Sequence, residues 1–414
     1  MLSASTLLAA DFPDPASLPV QPNLPDPLVM RDGTHVATKD VWLTQRAPEL
    51  RALFAHYMYG ARPEKPAAVE GKVLHEDKVA LGGKATMRAV EIECGLSAPV
   101  QLLIVTPNNA TKPAPCFLGM NFYGNFQLVD DPKIPLPRWV RAKPGGKSLP
   151  SDSDRGREKD TWAIEQSIDR GYAVASFYSG DVVPDDKALA EEVLNKFAKN
   201  GTRGPSDTAT IMAWSWGFSR MIDYLSTISE IDAKRIAVVG HSRNGKTALV
   251  TAAFDERVAL AIPSQAGSGG TGPSRVQPEL AKLNDKGRLT AETVAVINKS
   301  FPHWFSGNFK AFDEAVEKLP FDQHALIALC APRPVLLSNA EEDLWANPEG
   351  QFAMLKAAAP VYALFGETPK LPDNRPASNQ LLNERLGYFI RPGRHSMTTP
   401  DWKTWLDYAD KWLR

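Results

Sequence analysis

The segment that most constrains the chain is Val238-Val239-Gly240-His241-Ser242-Arg243-Asn244-Gly245-Lys246, which follows Ile236-Ala237 and runs into Thr247-Ala248-Leu249-Val250-Thr251-Ala252-Ala253. A short β-branched run, a cluster of small and polar residues and an Ala-rich run predict a strand, a tight turn and a helix, with Ser242 on the turn. Such an elbow suits a nucleophile. It lifts the hydroxyl clear of the sheet and aims the first free N–H groups of a helix at the reacting oxygen. The match to G-x-S-x-G is imperfect, because Asn244 occupies the second Gly position and Gly245 comes one residue later. An ordinary βα turn would read similarly, so the rest of the chain must decide. Arg243 and Lys246 are not needed by an elbow, and both suit an anionic substrate.

Strands are predicted near 86–94, 100–106, 114–122, 172–177, 259–263, 334–338 and 387–390, besides the one before Ser242. Helices are predicted over 40–59, 161–170, 206–229, 323–329, 350–358 and 400–413. Strands alternating with helices imply a mostly parallel sheet covered on both faces. The fold class expected is α/β, an α/β-hydrolase three-layer sandwich with an N-terminal extension and two long insertions. Residues 1–85 are assigned to the extension, packed on the core, and 86–414 to the catalytic domain. The proline-rich stretch from Pro13 to Pro27 is expected to run extended over the surface. The insertions span Gln127 to Asp160 and Gly267 to about Lys318, and loops of that length are usually functional.

A hydrolase of this fold supplies its triad in the order Ser, acid, His. Of seven histidines, His395 alone has a predicted strand before it and the closing helix after it. His241, next to the serine, is read as structural and pointing away. The acid should follow the strand at 334–338, where Asn339-Ala340-Glu341-Glu342-Asp343 stands. Asp343 is preferred, with Glu341 and Glu342 as alternatives. Glu292, His303 and Trp304, in the second insertion, are expected to contact the substrate.

The nucleophile segment resembles that of the glucuronoyl esterases, carbohydrate esterase family 15. The likeness extends over roughly 100–412, through Gly171-Tyr172-Ala173-Val174-Ala175-Ser176-Phe177-Tyr178-Ser179-Gly180-Asp181, Ala213-Trp214-Ser215-Trp216-Gly217, Gly267-Ser268-Gly269-Gly270, Phe301-Pro302-His303-Trp304-Phe305 and the His395 segment. The bacterial branch looks nearer than the fungal one. The resemblance implies Ser242 as nucleophile, His395 as base, Arg243 at the oxyanion, Lys246 on the glucuronate hydroxyls and Trp345 lining the sugar site. It implies hydrolysis of the ester between 4-O-methyl-glucuronic acid on xylan and an alcohol of lignin, or of alkyl glucuronates. One position departs from many members. Gln265 stands where they carry the acidic residue, and an amide cannot charge-stabilise an imidazolium. Gln265 is therefore placed with the substrate contacts, and the acid on the later loop.

Other classes fit less well. A net charge of −1 with dispersed Lys and Arg gives no field for nucleic acid. Three scattered cysteines suggest neither a disulfide scaffold nor a Cys-based metal site. No metal or cofactor is expected, no apolar run suits a membrane span, and a monomer is expected. Residues 1–10 lack a positive n-region although Leu7-Leu8-Ala9-Ala10 looks like the end of a leader, so a truncated or mis-started leader and a polar tail both remain open. The polymeric substrate argues for a secreted or periplasmic protein. The alternatives kept are an acetyl-xylan or cinnamoyl esterase and a catalytically silent polysaccharide-binding homologue.

Overall fold

The computed structural model describes residues 12–141, 146–198, 200–276 and 290–414. Its organising element is a sheet of nine strands: β1 Glu70–Ala80, β2 Ala85–Glu93, β3 Val100–Pro107, β4 Ala114–Asn121, β5 Ala173–Tyr178, β6 Ile231–His241, β7 Leu260–Ser264, β8 Val335–Ala340 and β9 Leu386–Arg391. The spatial order is β1-β2-β3-β5-β4-β6-β7-β8-β9. The first three strands and the β3–β5 pair are antiparallel, and every pair from β5 to β9 is parallel.

Period-two alternation sends neighbouring strand residues into different cores. Val238 joins Ile104, Leu118, Ala175 and Leu337 on one face, beneath helices α3 (Thr210–Leu225), α4 (Arg243–Phe254), α5 (Gln323–Ala328) and α6 (Pro348–Ala363). Ala237 and Val239 join Phe117, Val174, Ile262 and Leu336 on the other, beneath α2 (Ile164–Asp169) and α7 (Thr399–Leu413). Both faces are therefore buried, which is why the central strands read as unbroken apolar runs. Each large apolar side chain so enclosed contributes about 1.5–3 kcal/mol before entropic costs. The N-terminal helical stretch, Lys39–Tyr59 with α1 (Ala47–Phe54) at its centre, adds Trp42, Leu50, Leu53, Phe54 and Tyr57 to the first face. This is the three-layer α/β-hydrolase arrangement expected.

Three differences from expectation have physical causes. Strand β1 carries Glu70, Lys72, Glu76, Asp77 and Lys78 and exposes Val79, so as a one-sided edge strand it lacks an apolar signal. The helix expected over 161–170 is broken at Ala163, whose φ of 43° is left-handed. Helix α6 continues through Pro360 to Ala363, because burying Val361 and Tyr362 offsets the missing backbone donor.

The strand order reverses where β5, β4 and β6 meet. In an open parallel sheet the crevice at that switch, beyond the carboxyl ends of the strands, is where ligands bind. All the loops considered next leave the sheet at that edge.

Candidate active site

Ser242 stands between the end of β6 and the start of α4 with φ 59° and ψ −127°, a conformation few residues other than glycine adopt. Such strain costs roughly 1–3 kcal/mol and persists only where the surroundings impose it. They do so here. The Ser242 N–H donates to the Ser264 carbonyl at 2.9 Å, and the Ser242 carbonyl accepts from the Lys246 N–H at 3.0 Å. A Cβ on Gly240 would lie 2.1 Å from the Asn244 oxygen, and one on Gly245 2.8 Å from the Ser264 oxygen. The glycines required are thus at two residues before and three after the serine. Asn244 fits the intervening place because its Nδ2 reaches the Met120 carbonyl on β4 at 2.8 Å. The imperfect sequence match is a displaced glycine.

His395 lies between β9 and α7, and its Nδ1 is 2.6 Å from Oδ2 of Asp343, which follows β8. With Nδ1–H directed at the carboxylate, Nε2 is the atom left to take a proton. The three candidate carboxylates are separated by their partners. Glu341 is paired with Arg375 at 3.2 Å and Glu342 lies 3.5 Å from Arg394, whereas Asp343 is buried against the imidazole. Ser242, His395, Arg243, Asp185, Tyr178 and Phe122 line one cavity of about 540 Å³.

Gln265 is not free to meet substrate. Its Nε2 donates to the Ser396 carbonyl at 2.7 Å and its Oε1 accepts from the Ser396 N–H at 3.0 Å, clamping the backbone beside His395. Arg391 holds the same carbonyl at 2.7 Å. His241 does not point away from the site as expected. Its ring centroid is 4.4 Å from that of His395. Desolvation, and then the neighbouring His395, keep its pKa well below that of an ordinary imidazole, so it packs as a neutral ring.

His303 and Trp304, expected to contact the substrate, are buried and turned to another partner. His303 Nε2 lies 3.1 Å and Trp304 Nε1 2.8 Å from Oδ1 of Asp185, and Trp304 is stacked on Phe301 at 3.8 Å and 3°. A buried carboxylate needs donors, and these residues supply them. Asp185 also pairs with Arg243 and Arg141. Nothing in Pro184-Asp185-Asp186 marked Asp185 in the sequence. Asp186, its neighbour, caps the helix Lys187–Leu194, which was likewise not anticipated.

Lys246, one turn along α4, is buried. Its Nζ donates to the carbonyls of Ala266 and Ser268, both at 2.6 Å, and lies 4.0 Å from Glu292. Burial lowers its pKa to about 8, with Glu292 opposing that shift. Burial pushes the Glu292 pKa up, and its backbone N–H donates to the Trp345 carbonyl at 3.1 Å. Trp345 is 41% exposed, unlike Trp304 at 3%. Lys246, Glu292 and Trp345 therefore form one group with an open aromatic face. Among the described residues, no three His, Cys, Asp or Glu side chains are placed to hold a metal ion.

A family model for fungal glucuronyl esterases matches residues 163–366. A carbohydrate esterase of an unknown prokaryotic organism is 40% identical over 399 residues, covering 94% of this chain and 89% of its own. The structure of a glucuronoyl esterase from Solibacter usitatus superposes with a TM-score of 0.86 at 32% identity, covering 96% of this chain and 100% of that one. A promiscuous esterase of carbohydrate esterase family 15 from the marine bacterial metagenome superposes with a TM-score of 0.84 at 39% identity, covering 97% and 99%. The chain belongs to carbohydrate esterase family 15, the glucuronoyl esterases, and is a carboxylic ester hydrolase.

Proposed function

We propose that the protein hydrolyses esters of glucuronic acid, with or without a 4-O-methyl group, through Ser242, His395 and Asp343. The observation that carries this reading is the Asp343–His395 contact at 2.6 Å beside a strained serine elbow. His395 Nε2 takes the Ser242 proton as Oγ bonds to the ester carbon C6. The oxyanion that forms is met by the free N–H groups at the start of α4 and by Arg243. Collapse expels the alcohol, which receives the proton from His395, and leaves glucuronoyl-Ser242. Water, activated by the same imidazole, then releases the free acid. Lys246 and Glu292 serve the ring hydroxyls, and Trp345 offers its open face to the sugar.

The natural substrate proposed is the ester that links 4-O-methyl-glucuronic acid on xylan to an alcohol of lignin, which requires action outside the cytoplasm; the chain is proposed to act as a monomer. Among the described residues no helix is long and apolar enough to cross a membrane. A second reading, a broader ester hydrolase, is favoured by the 39% identical relative described as promiscuous. The silent polysaccharide-binding reading loses its motive, because a carboxylate lies within hydrogen-bond reach of His395.

The test is acid release from benzyl glucuronate, with 4-nitrophenyl acetate and a methyl cinnamate in parallel, for wild type and Ser242→Ala. Benzyl glucuronate should have the highest kcat/KM and lose it in the variant. Equal kcat/KM on all three esters supports the broader hydrolase, and glucuronate left untouched would sink the proposal.

A further inference from the structure

We propose that Asp185 is a positioning residue that holds the Arg243 guanidinium at the oxyanion of the Ser242 reaction. The inference rests on the role given to Arg243 above. Asp185 leaves the sheet after β5, at the reversal of strand order, and its side chain is 9% exposed. Four donors converge on it: Arg243 Nη1, Arg141 Nη1 at 3.3 Å, Trp304 Nε1 at 2.8 Å and His303 Nε2 at 3.1 Å. Burial acts to raise its pKa, but the hydrogen bond from His303, the charge of Arg243 and the Trp304 bond outweigh it, so the carboxyl stays ionised.

The guanidinium is then fixed on two sides. Its edge is tethered to Asp185, and its carbon lies 5.0 Å from the Trp304 ring centroid, 5.5 Å from Phe301 and 5.6 Å from Phe122. A flexible arginine would have to be ordered during the reaction. A tethered one is already in place as charge develops, which is the condition under which an oxyanion donor is most effective. The same arrangement gives His303 and Trp304 of the second insertion a role that needs no contact with substrate. Their contact with Asp185 orients the carboxylate that orients Arg243.

A carboxylate so near an oxyanion also carries a penalty that Arg243 masks. The sign of its effect therefore depends on whether Arg243 is present. Asp185→Asn in the full chain should lower kcat on benzyl glucuronate about 10- to 100-fold, with KM changed less than about threefold. In an Arg243→Ala background the same change should cause no further fall, and a partial recovery is expected because the unmasked charge is gone. A residue that only supports the fold would lower kcat in both backgrounds, and that result overturns the proposal. If Asp185→Asn does not fold, guanidinium ion added to Arg243→Ala provides the reading. Saturable rescue of kcat at millimolar concentration is expected from a preformed Asp185 anchor, and no rescue overturns it. Should Arg243→Ala leave kcat unchanged, the oxyanion role itself fails, which separates that failure from failure of the Asp185 tether.

Discussion

The two halves of the site are built differently. The Ser242 half is fixed from within the sheet: Ser242 is strained between β6 and α4, Lys246 is enclosed and partnered, and the half-buried Arg243 is paired with Asp185. The base half sits on loops after β8 and β9, where the His395 side chain is 43% exposed. Its position depends on a few side-chain contacts, the long-range ones from Asp343 on the ring and Gln265 on the adjoining Ser396 backbone, and a local one from Arg391 on the same backbone. One half is held by close backbone packing, which tolerates almost no added volume. The other is held by a few hydrogen bonds, which fail one at a time.

The largest loss of stability should therefore come from crowding the elbow. Gly240→Ala would place a methyl group 2.1 Å from the Asn244 oxygen. The backbone must shift, costing roughly 3 kcal/mol or more in urea unfolding and lowering kcat by about 100-fold, since a displacement near 1 Å at the reacting atoms has that effect. Unchanged stability would show that the elbow is softer than described.

On the base half, Gln265→Ala removes two hydrogen bonds to Ser396. A fall in kcat of about tenfold is expected, with a stability loss of about 1–3 kcal/mol. If kcat is unaffected, the clamp does not position His395. His241→Phe keeps a ring against His395 and should change kcat by less than about threefold, because the native ring is neutral and packs at a tilt of 44° against His395.

Lys246 sharpens the comparison through pH. Its folded pKa of about 8 lies below the value of about 10.4 expected when unfolded. Between those values the unfolded chain binds the extra proton, so this residue makes stability rise with pH across that window. The stability difference between wild type and Lys246→Met, followed by urea unfolding from pH 7 to pH 10, should therefore move in favour of wild type. Movement the other way would mean that Lys246 is held as an ammonium. KM for benzyl glucuronate should rise above about pH 8, as Lys246 loses its charge and the third N–H, the one not taken by the Ala266 and Ser268 carbonyls.

How much of this was legible follows from the range of each signal. The elbow, the parallel strands and the position of His395 are written in local periodicity and in small residues at the turns. Asp343 could be placed because it follows a strand end. The roles of Gln265 and Asp185 could not, since they are fixed by partners 131 and 118 residues away, at Ser396 and His303. His303 and Trp304 fall in an insertion, where function is a fair expectation. Their ring nitrogens are turned to Asp185, a buried carboxylate that no run of neighbouring residues announces. Strand β1 escaped because an exposed edge strand has no buried face to give it period-two contrast.

The central claim is that the charge stabilising His395 comes from Asp343, after β8, with Gln265 acting only as a clamp. The most direct measurement is kcat on benzyl glucuronate for Asp343→Asn, beside Glu341→Gln and Glu342→Gln. A loss of about 1,000- to 10,000-fold is expected for Asp343→Asn, with the two glutamate variants within about twofold of wild type. An Asp343→Asn enzyme within tenfold of wild type, or a glutamate variant that loses as much, would contradict it.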